Sequence, residues 1–402
     1  MSALSGKKIV LGISGGIAAY KTAPLVRLFI KAGAEVKVIM TPASKDFVTP
    51  LTLSTLSKNP VHSTFFNDKD ENAEWNNHVE LGLWADLMLI APATANTLSK
   101  MATGNSDNLL IATYLSAKCP VYFAPAMDLD MYRHESTLQS FKALQQFGNI
   151  IIPAENGELA SGLSGEGRMA EPENILAFIE ADLESKMPLK GKKILITAGP
   201  TYEAIDPVRF ISNHSSGKMG FDLANAAADL GAEVILISGP THLKVQNSRV
   251  QLVPVVSAQQ MYDACHQHFE EVDVTIAAAA VADYRPKNIA DQKIKKTDAN
   301  FTIVLEKTKD ILASLGEIKK NQFLIGFALE TENEIEHAKQ KIIKKNLDLI
   351  VLNSLQDEGA GFGKLTNKVT FIDKNFNIEP MALKSKEAVA TDILNKIIAH
   401  YA

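Results

Sequence analysis

Residues 274–296, VTIAAAAVADYRPKNIADQKIKK, start as an apolar run and end in Asp283, Tyr284 and Arg285, followed by the basic cluster Lys293, Lys295 and Lys296. A second stretch, ISNHSSGKMGF at 211–221, is polar, broken by glycine, and feeds a segment that reads as a helix. A strand tip carrying a carboxylate and lysines, facing a helix N-terminus with free backbone N–H groups, suits a metal-bound nucleoside triphosphate. Neither stretch follows G-x-x-x-x-G-K-[ST], so the phosphate grip is not that of an ordinary P-loop.

A different constellation occupies the first half. GISGGIAAYKTAPLVRLF puts Ser14, Gly15 and Gly16 at a strand tip before an amphipathic helix, where glycine backbone can approach a phosphate closely. In APATANTLSKMATGNSDNLL, Thr94, Asn96 and Thr97 follow an apolar strand with no acid beside them, which predicts a neutral pocket for an isoalloxazine ring or a ribityl phosphate. Thr41 and Pro42 stand where a dinucleotide fold places an acid to grip a ribose, which argues against NAD. Three further residues carry chemistry: His78 in NNHVELGLWAD, Asp128 in PAMDLDMY, and Ser161 in ELASGLSGEGRM, a glycine-rich stretch that reads as a mobile flap.

The elements that must position these residues begin twice. GKKIVL at 6–11 and GKKILI at 191–196 are near copies, and each leads through a helix to a second strand, KAGAEVKVIM at 31–40 and LGAEVILIS at 230–238. The second copy carries a longer first loop, TYEAIDPVRFISNHSSG, so the halves are expected to hold different ligands at the carboxyl ends of their strands. LMLIAPA, VYFAPA, VTIAAAA, FLIGFAL and LDLIVLN are continuously apolar, as strands covered on both faces should be. The polar ADLESKMPLKG sets a boundary, giving domains 1–188 and 189–402, each a Rossmann-like three-layer α/β domain with a mostly parallel sheet. Ser385 is the expected N-cap of a closing helix with Val389, Ile393 and Ile397 on its packed face.

Composition narrows the class. With 46% hydrophobic residues, 22% charged and a net charge of −5, the chain is an ordinary globular one and no coat for nucleic acid or anionic membrane. Cys119 and Cys265 are the two cysteines, too few for a disulfide framework, and both read as small buried hydrophobes. The apolar run near the start is split by Gly12, Ser14, Gly15 and Gly16, unlike a signal peptide, and no stretch is long enough to span a bilayer, so the expected address is the cytoplasm.

GISGGIAAYK, HVELGLWADLMLIAPATANT, PAMDLDMY and SGLSGEGRM resemble the homo-oligomeric flavin-containing cysteine decarboxylases. ITAGPTYEAIDPVRFISNHSSGKMG, AAAVADYRP and KIKK resemble phosphopantothenate–cysteine ligase. In this order they resemble, over essentially the whole chain, the bacterial bifunctional phosphopantothenoylcysteine decarboxylase/phosphopantothenate–cysteine ligases of coenzyme A synthesis. The resemblance implies a flavodoxin-like first half in which FMN, held by Ser14, Gly15, Gly16, Thr41 and Thr94 to Thr97 (with Ala95 and Asn96), takes a hydride from the substrate cysteine and later returns it. His78 is then the base.

Asp128 and Ser161 depart from that family, where Asn and Cys are common. A carboxylate beside the substrate's own would repel it by about 4 kcal/mol at about 4 Å and an effective dielectric of about 20, so Asp128 is expected to be protonated in a buried site, the favoured reading, or else to contact the amide or thiol, or to leave the substrate carboxylate to backbone N–H groups. Two readings of Ser161 stay open: it relays a proton from water, or the donor stands elsewhere. In the second half the resemblance implies CTP activating 4'-phosphopantothenate as an acyl-cytidylate that L-cysteine then attacks. Ala277, Ala278, Ala279, Asp283, Lys293, Lys309, Asp310, Ile311, Leu312, Phe327, Lys341 and Lys345 would line the CTP site, with Asp283 and Mg2+ beside the phosphates and Asn213 on the acyl intermediate. The first half would then decarboxylate 4'-phosphopantothenoylcysteine. Assembly is expected as trimers and dimers combined into a dodecamer. Two rivals stay open: a ligase with an impaired flavin domain, and a flavin-binding regulatory subunit.

Overall fold

The apolar runs become strands covered on both faces. In the computed structural model, which describes residues 2–66, 75–295, 301–330, 332–354 and 366–402, the chain forms two compact units, Met1–Ser185 and Lys186–Ala402. In the first, strands β1 (Lys8–Ile13), β2 (Glu35–Met40), β3 (Val61–His62), β4 (Leu87–Ala93), β5 (Val121–Pro125) and β6 (Ile150–Ile151) form one parallel sheet in the order 3-2-1-4-5-6. A separate antiparallel hairpin, β7 (Glu155–Glu158) and β8 (Ser164–Arg168), follows.

Eight α-helices accompany this unit: α1 (Thr22–Lys31), α2 (Pro50–Ser57), α3 (His78–Trp84), α4 (Ala95–Thr103), α5 (Leu109–Ser116), α6 (Leu129–Arg133), α7 (Glu135–Gln146) and α8 (Pro172–Ser185). Alternate residues of β1 serve two cores. Ile9, Leu11 and Ile13 pack with Leu25 and Phe29 of α1 and Ile175 and Ile179 of α8. Val10 faces the other way, toward Leu98 and Met101 of α4, Leu110 of α5 and Phe141 of α7. Each such side chain contributes about 1.5–3 kcal/mol by leaving water, so both helical layers hold the sheet firmly. The strand order reverses between β1 and β4, which opens a crevice at their carboxyl ends.

The second unit repeats the plan with a longer sheet. Its strands are β9 (Lys193–Ala198), β10 (Glu203–Ala204), β11 (Phe210–Ile211), β12 (Glu233–Ser238), β13 (Val250–Pro254), β14 (Val274–Ala277), β15 (Tyr284–Pro286), β16 (Leu305–Lys307), β17 (Phe323–Glu330), β18 (Leu349–Ser354), β19 (Thr366–Asn367), β20 (Val369–Asp373), β21 (Ile378–Pro380) and β22 (Lys384–Ser385). The main sheet runs 13-12-9-14-17-18-20-21, parallel as far as β18 and antiparallel beyond it. On one face lie α9 (Lys218–Asp229) and α13 (Lys386–Tyr401), whose Phe221, Ala224, Val389, Ile393 and Ile397 cover Ile194 and Ile196. On the other lie α10 (Ala258–Phe269), α11 (Ile311–Ile318) and α12 (Glu334–Lys344), over Leu195, Ile235 and Leu324.

Local chemistry explains the helix ends. Ser385 caps α13 by accepting from Ala388 N at 3.2 Å, and Ser257 with Gln260 forms a capping box on α10. Gly220 lets α9 lie close on β9, since a Cβ there would meet the Ala198 Cβ at 2.5 Å.

Two expectations need correction. The run VTIAAAA is strand only to Ala277; Ala280 leaves the sheet to bond Gly199 O through its N–H at 2.9 Å, and Ala278 to Ala280 turn toward a cavity. Cys119 is half-buried rather than buried, whereas burial of Cys265 pushes its thiol up to about 12. Lys296 lies outside the described residues.

Candidate functional site

At the β1–β4 crevice the two strand tips are stitched together by Ser14. Its hydroxyl donates to Pro92 O at 2.6 Å and accepts from Thr94 N at 3.1 Å. Ser14 is therefore buried and tied into the scaffold, and it lines neither of the two cavities that Gly15 and Gly16 line. Gly15, Thr41, Thr94, Ala95, Asn96 and Thr97 all line one cavity of about 570 Å³. Gly15 is demanded by the close approach of the next loop, because a Cβ there would stand 2.7 Å from the Ala43 Cβ.

Two features of this cavity ask for a ligand. The first turn of α4 has no side-chain cap, leaving N–H groups free for an anion, and the Thr41 hydroxyl is buried without a partner among the described residues. The expectation of a pocket without acids is corrected, since Asp107 lines it. Lys100 pairs with Asp107 and holds its carboxyl below the usual range, so the pair is neutral. Asn108, beside them, caps α5 through Ile111 N at 3.1 Å.

A second cavity, of about 560 Å³, joins Gly16 with Asp128 and Ser161. Ser161 sits at the tip of the β7–β8 hairpin, whose turn is closed by Gly162 in a left-handed conformation. The base of the hairpin is pinned to the loop before Asp128: Met127 N donates to Gly167 O at 3.0 Å. Gly165 lies against the Leu129 side chain, where a Cβ would meet Cδ1 at 2.6 Å. These glycines let the flap lie on the Asp128 loop.

Asp128 is not the buried carboxyl expected from the preceding strand. It is half-buried and caps α6, its Oδ1 accepting from Leu129 N at 2.6 Å. The preceding strand does not bury it, because α6 starts at once and brings the Leu129 N–H to the carboxylate. Lys21, which the motif reading left without a role, also lines this cavity. It is 4% exposed, bonds Met169 O at 2.7 Å, and pairs with Glu171, whose carboxyl it holds down. Its signal was its place in GISGGIAAYK, one helical turn past the glycines.

His78 lines neither cavity. It is the first residue of α3, behind the Asn77 cap, with Phe65 edge-on at 6.0 Å and Trp75 also at 6.0 Å between ring centres. Its Nδ1 is buried with no hydrogen-bond partner among the described residues.

In the second unit one cavity of about 170 Å³ is lined by Ser215 to Met219, Ala278 to Ala280, Phe327 to Leu329, Asn353, Asn367 and Lys386. Of the predicted residues it gathers Ala278, Ala279 and Phe327, while Ala277 ends β14 just behind them. Asn213 stands next to it, its amide donating to Val281 O at 2.9 Å. The α9 N-terminus opens into this cavity with Gly217 left-handed and no side-chain cap.

The remaining predicted residues lie elsewhere. Lys309 lies over the Tyr262 ring at 4.5 Å, and Asp310 caps α11 and pairs with Lys345 at 2.8 Å. Lys341 pairs with Glu330, Ile311 is core, and Leu312 packs under Gly326. Asp283 and Lys293 are exposed and line none of these cavities. The segment carrying Lys293 is nevertheless anchored. Buried Asp206 accepts from Val208 N, Arg209 N and Ile294 N, and the guanidinium of Arg209 holds its carboxyl far below the usual range. Arg209 also donates to Ile294 O at 3.0 Å. Sequence reasoning missed Lys218, Asn353, Asn367 and Lys386, the last three because they come from strands and a helix far along the chain.

Comparison with known proteins adds to this geometry. The flavoprotein family model matches residues 2–184, and the model of the DNA/pantothenate metabolism flavoprotein C-terminal domain matches residues 189–401. The coenzyme A biosynthesis bifunctional protein CoaBC of Bacillus subtilis (strain 168) is 45% identical, covering 98% of each chain. A cysteine/cysteine sulfinic acid decarboxylase from an unknown prokaryotic organism is 54% identical over 87% of this chain and 99% of its own. The solved C-terminal domain of a coenzyme A biosynthesis bifunctional protein is 47% identical, covering 54% of this chain and 98% of its own, with a TM-score of 0.46. Among the described residues no helix is long and apolar enough to cross a membrane.

Proposed function

We propose, from the premise that this chain belongs to the family of bifunctional coenzyme A biosynthesis flavoproteins, that its second unit joins L-cysteine to 4'-phosphopantothenate with CTP and its first decarboxylates the product to 4'-phosphopantetheine. The observation that carries the first half is the cavity at the β1–β4 crevice, where a buried, partnerless Thr41 hydroxyl and the uncapped α4 turn fit FMN. Gly15, Thr41 and Thr94 to Thr97 would hold it. When bound, FMN supplies a reversible hydride acceptor. Around it, Lys21, paired with Glu171, lines the neighbouring cavity, Asp128 and Ser161 face the substrate, and the flap excludes water.

His78 is assigned the base, and its separation from both cavities favours completion by another copy. Phe66, Trp75, Val79 and Leu83 around it are exposed apolar residues that such a copy could cover. The assembly we assign is a homo-oligomer built from trimers and dimers, dodecameric and cytoplasmic. In the second unit the α9 N-terminus takes phosphates, Lys293 neutralises charge at the reacting phosphoryl group, and Asn213 orients the acyl intermediate. Asp283 alone is no cage for a cation, and among the described residues no three His, Cys, Asp or Glu converge. Mg2+ therefore belongs to the triphosphate, as its counter-ion.

The test is direct. The purified protein should be yellow and release FMN; given 4'-phosphopantothenate, cysteine and CTP it should produce CMP, pyrophosphate, CO2 and 4'-phosphopantetheine. A colourless protein that makes no CO2 sinks the first half of the proposal. Mixing His78→Asn and Gly167→Ala chains, each deficient in CO2 release, should restore decarboxylation if a site is shared between copies, and no recovery after subunit exchange removes that part. A second reading, that the first unit takes free cysteine, is favoured by the identity to the cysteine/cysteine sulfinic acid decarboxylase. It predicts CO2 from cysteine alone.

A further inference from the structure

Two buried residues of the second unit line one cavity, each with a polar atom that no other described residue pairs. Lys386 is 7% exposed, and among the described residues none accepts a hydrogen bond from its ammonium. Burial pushes it below the usual lysine range, only partly offset by the charge of Asp222, and the nearby Lys218 pushes it further. Asn367 is 3% exposed; it donates to Asn353 Oδ1 at 3.1 Å and leaves its own Oδ1 buried and unpaired.

Neither arrangement helps the fold. A buried ammonium and a buried carbonyl without partners each cost stability, and Lys218 already pairs with Asp222 and Glu387. What they share is the cavity beside the uncapped N-terminus of α9. A donor with positive charge, the α9 first-turn amides of Met219 and Gly220, which no described side chain caps, and a separate acceptor together describe a ligand that is anionic at one end and offers an N–H or O–H at the other.

We propose that Lys386 and Asn367 are nucleotide-binding residues, Lys386 donating to a phosphate oxygen that α9 also holds and Asn367 Oδ1 accepting from the nucleoside. The proposal rests on the reading of this unit as a CTP-dependent ligase. Two donors on CTP suit the acceptor, the exocyclic amine of cytosine and a ribose hydroxyl.

The experiment uses the full chain and its Lys386→Met, Lys386→Arg and Asn367→Leu variants, with CTP affinity by calorimetry in the presence of Mg2+. Lys386→Met should bind CTP at least about tenfold more weakly, with an unchanged KM for cysteine and a melting temperature equal to or above wild type. Lys386→Arg should recover part of the loss. Equal CTP affinity in Lys386→Met overturns the assignment, as does a parallel loss in cysteine KM with a lowered melting temperature, which marks a structural lysine. If wild type itself binds no CTP, the ligase reading falls and takes this one with it; if wild type binds and the variants bind equally, this one falls alone. For Asn367→Leu, lost preference over UTP assigns the acceptor to the amine, and lost preference over 2'-deoxy-CTP assigns it to a hydroxyl. Unchanged binding of all three nucleotides removes Asn367 from the site.

Discussion

Replacing Gly167 by Ala should disable decarboxylation while sparing ligation. Gly167 has φ +132, a conformation open in practice to glycine alone, and holding another residue there costs about 1–3 kcal/mol. That strain by itself shifts the docked flap toward the open form by roughly 5- to 150-fold. The space is no better: a Cβ would stand 2.4 Å from Met127 O, a backbone atom of the residue whose N–H is tied to Gly167 O. Relief requires breaking the Met127–Gly167 bond and lifting the flap from the Asp128 loop. Gly162→Ala is the matched control, with φ +82 and no atom within 4 Å of the added methyl, so it carries strain without collision. We expect kcat/KM for CO2 release to fall more than tenfold in Gly167→Ala and several-fold less in Gly162→Ala, with pyrophosphate release unchanged in both. Equal, small losses in the two variants would refute the claim that the flap must lie on this loop.

Ser161→Ala should still release CO2 but yield product two mass units light if the hydroxyl relays the returning proton, and Ser161→Cys should match or exceed wild type; normal product from the alanine chain removes the relay. Lys293→Gln should prevent formation of the acyl-cytidylate, whereas Asn213→Asp should let it form and persist, as followed by quenched-flow mass analysis. A fragment beginning at Lys186 should ligate without the flavin unit, and no turnover from a folded fragment would tie the two activities together. Cys265, held at about 12 in the fold against about 8.5 in an unfolded chain, binds its proton more tightly when folded, so its contribution to stability is full below the unfolded value and lost as pH rises through the folded one. Relative to Cys265→Ala, wild type should lose stability more steeply between pH 9 and pH 11 in urea titrations.

What could be read from sequence was whatever one segment carries by itself. LMLIAPA and KILITA announce strands because both faces are covered, and the Ser385 cap needs only its own neighbours. Gly15 and Gly16 were legible for the same local reason. Asp128 was misjudged because a buried strand precedes it, while the deciding fact is the short helix that it starts. Lys341 and Lys345 look alike on paper as free cations, yet Glu330 and Asp310 take both, and neither acid is near them in sequence. Lys386 and Asn367 were out of reach altogether, because only the packing of α13 on α9 brings a C-terminal lysine to a loop at residue 216.

Asp206 keeps Lys293 on a short leash. With Ile294 fastened through both its N–H and its carbonyl, the ammonium one residue away can search only the sphere swept by its own side chain. An unfastened segment would have to surrender about 1–2 kcal/mol of backbone freedom for each residue stilled when a ligand arrives. Here that ordering is done during folding. The same knot governs which changes of length the chain can tolerate. Residues added between Pro286 and Lys293 must be accommodated as a bulge, since Ala290 N is held by Ile205 O at 3.0 Å and Ile294 by Asp206. Descendants of this sequence are therefore free to vary the side chains of that strap, and far less free to vary its span.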